Sequence, residues 1–594
     1  MKKIYGFLGA VALFSLASCS NEGPDAPEVN QGQKGDLCMT LRFVPTTNVG
    51  SRTASGQQGI EQGKDYENKI NDVLVIFAKK DETELFKAFH VGETDIAGPN
   101  DKNQYAATFE ATRTDFQAGE YDIYIVANPS DDMKTAYTGN SATQTKVQYK
   151  FALTDDANGE SFYWNKEGSR FLMSNAYRST AEIEASDLAE GQHTTAATAL
   201  DLGTVKIQRA MSRFDIDSEH VKFTENANNE AYETELALKN ITIEFDGVAL
   251  VNQATTAELF KVTTTDRTTL QYKEGETLAF KPDGQLEANA DFVMSPKQTA
   301  YTLALFDGTV DDKATLGGKQ KDFADLTYTP MSEINVQDET YTHPGSSQTD
   351  QGTYYLWRYC MEHTPYYDAT VVEGNKEQKH GNTTAVVFRA KMTSTDGKLD
   401  GESDIYAYNN VFLGDIKALS VYALNNKSQQ DQSGVYEMVN IHFAAAVTAY
   451  NAKQEQENTK FVRKAKSGEE QAAGIVLEDA TAETLEPLRP YLVKEGFTVY
   501  SPDDDRNYYC YYVYYNRHND NGENTQMGQM EFATVRNNVY KLRVTAINKL
   551  GHPGDPDDDP DPDDPDDPDE EDHFYFTVSC EILPWEVRIN GIVF

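Results

Sequence analysis

The sequence predicts a mainly β protein: two β-sandwich domains with helical insertions and a C-terminal strand on a tether. Three observations carry that expectation. Short apolar or alternating segments recur along the chain, separated by turn signals. Tyr and Phe, 34 and 28 of 594 residues, are types that suit pleated, half-buried surfaces. Stretches with the 3.6-residue period of a helix are scarce, and only Ala472 to Leu492 is expected to hold a short helix or two.

Taken in order, Lys2 and Lys3 precede a mostly apolar stretch from Ile4 to Leu16. It is too short to span a bilayer as a mature helix and has the form of a signal-peptide core. It ends in Leu16-Ala17-Ser18-Cys19, small residues before a cysteine, as in the lipobox of bacterial lipoproteins. Cys19 is therefore the candidate lipidation site of an exported Gram-negative surface protein. The alternative is an ordinary signal peptide that happens to contain Cys19. No later segment reaches the ~18 to 20 apolar residues of a membrane helix, so the mature chain is expected to be soluble apart from its anchor.

Ser20 to Gly35, rich in Gly, Pro, Asn and Gln, reads as a flexible tether. In Leu37 to Phe43 the residues Leu37, Met39, Leu41 and Phe43 alternate with the others, the period of a half-buried strand, and Pro45 stops it. Thr46 to Lys64 is again rich in Gly, Ser, Thr and Gln and carries a single Arg52.

Further strands are expected at Val73 to Phe77, Tyr121 to Val126, Ile241 to Phe245, Ala385 to Phe388, Leu419 to Tyr422, Asn440 to Phe443, Tyr508 to Tyr515 and Val539 to Val544. The boundary between the domains is placed near Thr204, before Val205 to Ala210. After Tyr515, Asn521-Gly522 favours a tight hairpin turn, with the return beginning at Met530 to Phe532.

Asp555 to Asp572 holds 13 acidic residues and five prolines. Such a run cannot bury apolar area and is expected to stay extended. At ~3.1 Å per residue it could reach roughly 55 Å. Beyond it Phe574, Phe576, Val578, Cys580 and Ile582 alternate with Tyr575, Thr577, Ser579 and Glu581, and Pro584-Trp585 ends the strand.

The mature body thus has an apolar strand at each end, each behind a flexible connector. Ordinary domains knit terminal strands in through short loops. A tethered strand can instead complete another molecule's sheet. About five inward side chains at ~1.5 to 3 kcal/mol each give a gross ~8 to 15 kcal/mol, an upper bound. Only one strand can occupy a given groove. A cut at Arg52-Thr53, in a loop of the kind proteases prefer, would free the groove and sever the anchor. Head-to-tail donation is heterologous and builds an open filament. Equally open from patterning alone is a C-terminal strand that folds back onto its own domain.

The formal net charge is −42, and removing the 13 charges of the acidic run still leaves −29. That argues against nucleic acid and anionic membrane surfaces as partners. Besides Cys19 the cysteines are Cys38, Cys360, Cys510 and Cys580, with no CxxC spacing. They read as isolated small apolar residues. The sequence lacks HExxH, GxSxG, a P-loop and a GxGxxG after a strand, so no enzyme, cofactor or metal is expected. Cys360 with His363 is a weak metal pair, and the acidic run lacks the spaced ligands of a calcium loop. The tyrosines of Tyr508 to Tyr515 read as packing residues rather than a sugar platform.

Several segments, in this order over nearly the whole chain, carry a family resemblance. They are the lipobox at Cys19, Lys69-Ile70-Asn71-Asp72, Phe171-Leu172-Met173-Ser174, Arg209-Ala210, Gly381-Asn382-Thr383-Thr384, Arg536-Asn537-Asn538-Val539-Tyr540, the acidic run and the final Leu583-Pro584-Trp585. The chain resembles the major subunits of the short (minor) fimbriae of Bacteroidales, in the fimbrillin family of type V pili.

The resemblance implies transthyretin-like sandwiches, export as a palmitate-bearing lipoprotein on Cys19, and processing at Arg52 and Thr53 by an arginine-specific protease. Arg52 matches the processing site by position only. The resemblance also implies polymerisation by strand exchange: Leu37 to Val44 leaves and His573 to Val587 is the donor, with Phe574, Phe576, Val578, Cys580, Ile582 and Trp585 as its key residues.

The expected organisation is a signal peptide at 1–19, a propeptide at 20–52, an N-terminal domain at 53–204, a C-terminal domain at 205–554, a tether at 555–572 and the donor at 573–594. The expected function is a fimbrial shaft subunit supporting adhesion and biofilm formation, first in the outer membrane through its lipid and then in the extracellular fimbrium. Its expected partners are copies of itself, accessory tip and anchor subunits, the protease, and host or bacterial surface ligands. The alternative is a monomeric lipid-anchored adhesin or glycan-binding protein.

Overall fold

The computed structural model describes residues 35–45, 61–100, 103–139, 146–152, 164–165, 170–219, 221–224, 241–263, 293–294, 301–302, 305–306, 309–310, 320–334, 354–364, 381, 383–425, 435–518, 531–562 and 575–586. The described residues are mainly β, in several sheets and without a barrel.

The first unit is built on a nine-stranded sheet. Its strands are β1 (Leu37–Pro45), β2 (Val73–Lys79), β3 (Lys87–Val91), β4 (Ile96–Ala97), β5 (Tyr105–Ala111), β6 (Gly119–Ala127), β7 (Met173–Asn175), β8 (Ser179–Ile183) and β9 (Leu200–Arg209). They lie in the order β3-β2-β6-β7-β9-β1-β5-β4, with β8 beside β6. The uninterrupted apolar runs of β2 and β6 are buried on both faces, as such runs require. Phe77 anchors one end of the core, with the rings of Phe89, Phe109, Phe116 and Tyr121 around it.

The chain changes sheet at Ala210, whose N–H reaches Leu172 O at 2.9 Å. The second unit contains β10 (Met211–Asp217), β11 (Lys222–Thr224), β12 (Ile241–Val251), β13 (Tyr354–Met361), β14 (Ala385–Ser394), β15 (Ile405–Tyr408), β16 (Val411–Gly414), β17 (Thr498–Tyr500), β18 (Tyr508–Tyr515), β19 (Asn538–Ile547) and β20 (Phe576–Glu586). One sheet runs Glu61–Gln62, β20, β19, β10, β13, and another runs β11-β12-β14-β18. They share a core to which Phe214, Ile216, Tyr540 and Leu542 come from the first sheet and Ile243, Phe245, Phe388 and Tyr512 from the second.

Between β14 and β18 the chain builds a module with its own core: the small sheet β16-β15-β17 and the helices α1 (Ile416–Leu424), α2 (Val435–Ala452) and α3 (Arg489–Lys494).

Here the structure differs from the sequence reading, because Leu419 to Tyr422 and Asn440 to Phe443 are helical. Buried Ile416, Leu419, Ser420 and Ala423 in α1, and Val435, Val439, Phe443, Ala446 and Val447 in α2, follow the 3.6-residue period. A four-residue apolar window cannot distinguish that period from a strand. Asp415 caps α1 by accepting the Ala418 N–H at 2.7 Å.

The expected hairpin also differs. β18 pairs along its length with β14, and β19, which follows the turn region, belongs to the other sheet. The Asn521-Gly522 turn itself lies outside the described residues. The chain does reverse there, since the His518 N–H meets Glu531 O at 2.6 Å. A turn signal specifies a reversal, not the sheet that the next strand joins.

A buried ionic network ties the two units. Glu67, in the short helix Asp65–Asn68, accepts from Arg213 Nη1 at 3.2 Å and from Tyr359 Oη at 2.6 Å. Arg213 also grips Asp215 through two bonds of 2.8 and 2.7 Å, and Lys541 Nζ lies 3.7 Å from Asp215. Burial alone would raise the Asp215 carboxyl, but Arg213 and Lys541 hold it below the usual carboxylate range.

Candidate assembly site: the β1 slot and the C-terminal strand

β1 is an internal strand of its sheet. It pairs antiparallel with β5 from Leu37 opposite Ala111 to Phe43 opposite Tyr105, and parallel with β9 from Met39 opposite Leu200 to Pro45 opposite Ile207. Its period of two is realised as the sequence requires: Leu37, Met39, Leu41 and Phe43 are fully buried, whereas Thr40, Arg42 and Val44 are half-buried. Phe43 stacks on Tyr105, with ring centroids 5.4 Å apart and planes at 8°. On the other face Arg42 pairs with Asp201 at 2.5 Å.

The entry to the strand is clamped by Arg113. Its guanidinium donates to Asp36 O at 2.8 Å, Gln192 O at 2.5 Å and Asp187 O at 2.8 Å, and its own N–H donates to Asp36 Oδ1 at 2.7 Å. Gly35 lies so close to β5 that a Cβ there would sit 2.8 Å from Ala111 O.

Burial of the four inward side chains contributes a gross ~6 to 12 kcal/mol. Taking β1 out would expose a groove floored by that core and walled by the unpaired edges of β5 and β9. Such edges are templates for another strand.

The C-terminal strand sits elsewhere. β20 pairs antiparallel with β19, from Phe576 opposite Ile547 to Pro584 opposite Asn538. Among the described residues its other edge carries only the two-residue strand Glu61–Gln62, parallel at Trp585 and Glu586. By backbone register Val578 lies opposite Val544, Cys580 opposite Leu542, and Ile582 opposite Tyr540. Within one chain, then, β1 and β20 occupy different sheets, and the structure does not bring them together. Cys19, Arg52, Thr53 and Phe574 lie outside the described residues.

The acidic run differs from the sequence reading at its start. Pro556–Asp558 forms a short 3-10 helix capped by Asp555, and Pro556, Asp558 and Asp559 are buried. Asp558 takes two bonds from Arg489 of α3, at 2.7 and 2.5 Å, and Asp559 bonds His552 Nδ1 at 2.6 Å. Composition alone misses this because the cation and the imidazole that neutralise these carboxylates come from other parts of the chain. Arg113, Arg489 and His552 carried no local signal.

The chemical candidates are absorbed into packing. Cys38, Cys360 and Cys510 are buried, and burial pushes the Cys510 thiol up to about 12. Burial holds His363 down to about 4, and its Nδ1 meets Thr384 Oγ1 at 3.1 Å. Glu362, beside it, pairs with Arg536, which also donates to Glu258 O and Leu259 O. Among the described residues no group of three or more His, Cys, Asp or Glu could hold a metal. The β18 tyrosines are packed: Tyr508 Oη donates to Ser403 O, Tyr511 lies against Phe323, and the Arg389 guanidinium covers Tyr509.

Among solved structures the chain is similar to a fimbrilin from Porphyromonas gingivalis W83, with 11% identity, 94% of this chain and 99% of that one covered, and a TM-score of 0.34. It is also similar to the tip fimbrial protein Mfa3 from Porphyromonas gingivalis, with 11% identity, 92% and 100% covered, and a TM-score of 0.28. No curated protein matches the sequence. Residues 506–590, which span β18, β19, the acidic run and β20, match the family described as "Major fimbrial subunit protein type IV, Fimbrillin, C-terminal". Over residues 506–590, therefore, the chain is similar to the C-terminal part of major fimbrial subunits of the fimbrillin family.

Proposed function

We propose that this chain is a structural subunit of a fimbrial shaft that polymerises by exchange of strands between copies. It is exported as a lipoprotein through Cys19 to the outer membrane. An arginine-specific protease cuts it at Arg52-Thr53, β1 leaves with the propeptide, and residues 573–587 of the next copy enter the slot between β5 and β9. Residues 1–19 are the signal peptide, 20–52 the propeptide, 53–204 and 205–554 the two domains, 555–572 the connector and 573–594 the donor. Tip and anchor subunits cap the polymer, which supports adhesion to host or bacterial surfaces and biofilm formation.

The observation that carries this reading is the asymmetry between the two strands. Among the described residues β1 is bonded along both edges, whereas β20 is bonded fully along one. A strand moving from the position of β20 to that of β1 gains a second ladder. At about 1 kcal/mol net per hydrogen bond, six or so added bonds favour the exchanged state by on the order of 5 kcal/mol. The alternating pattern of Phe574 to Ile582 supplies the apolar face that the slot needs.

Deleting Asp572 to Phe594 tests the proposal. The truncated chain should be exported and folded, yet form no ladder of oligomers on gels. Normal filaments from that truncation would end the donor-strand reading. A retained anchor on a chain that stays monomeric would favour the lipid-anchored adhesin instead.

A further inference from the structure

The helical module inserted between β14 and β18 has its own core, and it carries Arg489. The donor groups of Arg489 converge on acceptors that fix one short stretch of the tail. Nε and Nη2 donate in parallel to Oδ1 and Oδ2 of Asp558, at 2.7 and 2.5 Å. Nη1 is held by Asp404 and, at 3.3 Å, by Glu486, while Nη2 also reaches Ser501 Oγ at 3.2 Å. The guanidinium is thus pinned in place before Asp558 arrives, so the pair loses little side-chain entropy on forming.

A second hold lies one residue on. His552 Nδ1 meets Asp559 Oδ2 at 2.6 Å in a buried setting, and the same imidazole packs on the Tyr575 ring with centroids 4.2 Å apart. His552 is itself fixed: its backbone N–H and C=O both bond Tyr511, at 2.8 and 2.9 Å. Asn548 and Lys549 N–H both donate to Tyr575 O at 2.9 Å. One loop, 548–552, therefore grips the root of the acidic run at Asp559 and the residue just before β20 at Tyr575.

We propose that Arg489 and His552 form a clasp that docks residues 555–561 on the subunit body and sets the reach of the C-terminal strand. The inference rests on the strand-exchange reading for its consequence, not for its geometry. When β20 leaves its own sheet, Tyr575 comes off His552 while Asp558 and Asp559 stay bound. The free connector then begins after Pro562. The twelve residues 563–574 that lead to Tyr575 can extend about 37 Å, against the roughly 55 Å of the whole acidic run at ~3.1 Å per residue. The clasp makes Arg489 and His552 positioning residues for assembly: they fix the point from which the strand is handed over.

The test uses full-length chains with the connector shortened by three, six or nine residues within 563–574, each with the native clasp or with Asp558→Asn and Asp559→Asn. These two substitutions lie on the tail, so the body keeps its fold, and Arg489→Ala provides a second, independent release. Hydrogen exchange at the Asp557 to Asp559 amides should become at least about tenfold faster in the released forms. The shortest connector that still yields an oligomer ladder should be shorter by several residues when the clasp is open, because 555–561 then join the connector. An identical threshold in both series, or unchanged amide exchange, overturns the clasp. Should the native chain itself form no ladder, the exchange reading fails, and the amide rates alone then decide whether the clasp exists.

Discussion

Phe43→Ala should separate the precursor from the assembled subunit. Phe43 is fully buried in β1, and its ring stacks on Tyr105. Truncating such a phenylalanine costs about 3 to 5 kcal/mol, the lost transfer energy plus the residual cavity. The stacked pair accounts for about 1 kcal/mol of that. The clamp at Arg113 and the ladders to β5 and β9 are untouched by the change, so the strand should remain in place with a void beneath it. Urea unfolding of the uncut chain should therefore show a stability lower by about 4 kcal/mol at an unchanged dependence on urea.

Displacement of β1 by a peptide of residues 573–587 from a copy cut at Arg52 should be faster. The ceiling is roughly a thousandfold, because each 1.4 kcal/mol is a factor of about ten. Filaments made from the variant should be as resistant to urea as native ones, because the altered side chain has left with the propeptide. A loss below about 1 kcal/mol in the precursor would refute the packing argument. An equal loss in filaments would show that β1 stays in the polymer.

Three further outcomes follow from the buried polar groups. Imidazoles titrate near about 6.5 in an unfolded chain, but burial holds His363 to about 4 and His518 to about 3 in the folded one. Between those values the unfolded chain binds the extra protons, so stability should fall as pH is lowered from about 6.5 towards 4, by roughly 3 kcal/mol per histidine. A melting temperature flat over that range would contradict it. Arg536→Ala strips the fully buried Glu362 of its partner and should cost about 3 to 5 kcal/mol in denaturant titration; a change under about 1 kcal/mol would show that the pair is not a structural centre. Cys510, buried and with its thiol pushed up to about 12, should resist iodoacetamide at about pH 8 in the folded chain and react once the chain is unfolded, as followed by mass spectrometry. Rapid labelling of the native protein would place it at an open surface.

The polar interior suits the structural role proposed for this chain. Arg213 between Glu67 and Asp215, and Arg536 on Glu362, are buried pairs that hold elements together, and Arg536 places further donors on backbone oxygens. Buried pairs of this kind add little net stability but make the wrong arrangement costly. That is a useful property where the chain passes from one unit to the other, as it does at Ala210.

The first strand was legible in the sequence because half-burial leaves a period of two in the residues themselves. Leu37, Met39, Leu41 and Phe43 announce a buried face whatever strand lies beside it, and the continuous runs of β2 and β6 announce burial on both faces. The proline-rich acidic run likewise declares that it has no core of its own. What the sequence could not state is which partners meet. Leu419 to Tyr422 and Asn440 to Phe443 became helices because the residues that complete their 3.6 period, Ile416, Ala423, Val435 and Val447, lie outside those four-residue windows. β18 joined β14 rather than the strand after its turn because sheet membership is decided by long-range packing. The seat of Asp558 and Asp559 exists only because folding brings Arg489 and His552, distant in sequence or idle in pattern, to the same place. Burial leaves its mark on each segment separately, whereas pairing is a property of two segments at once, and only the tertiary structure contains both.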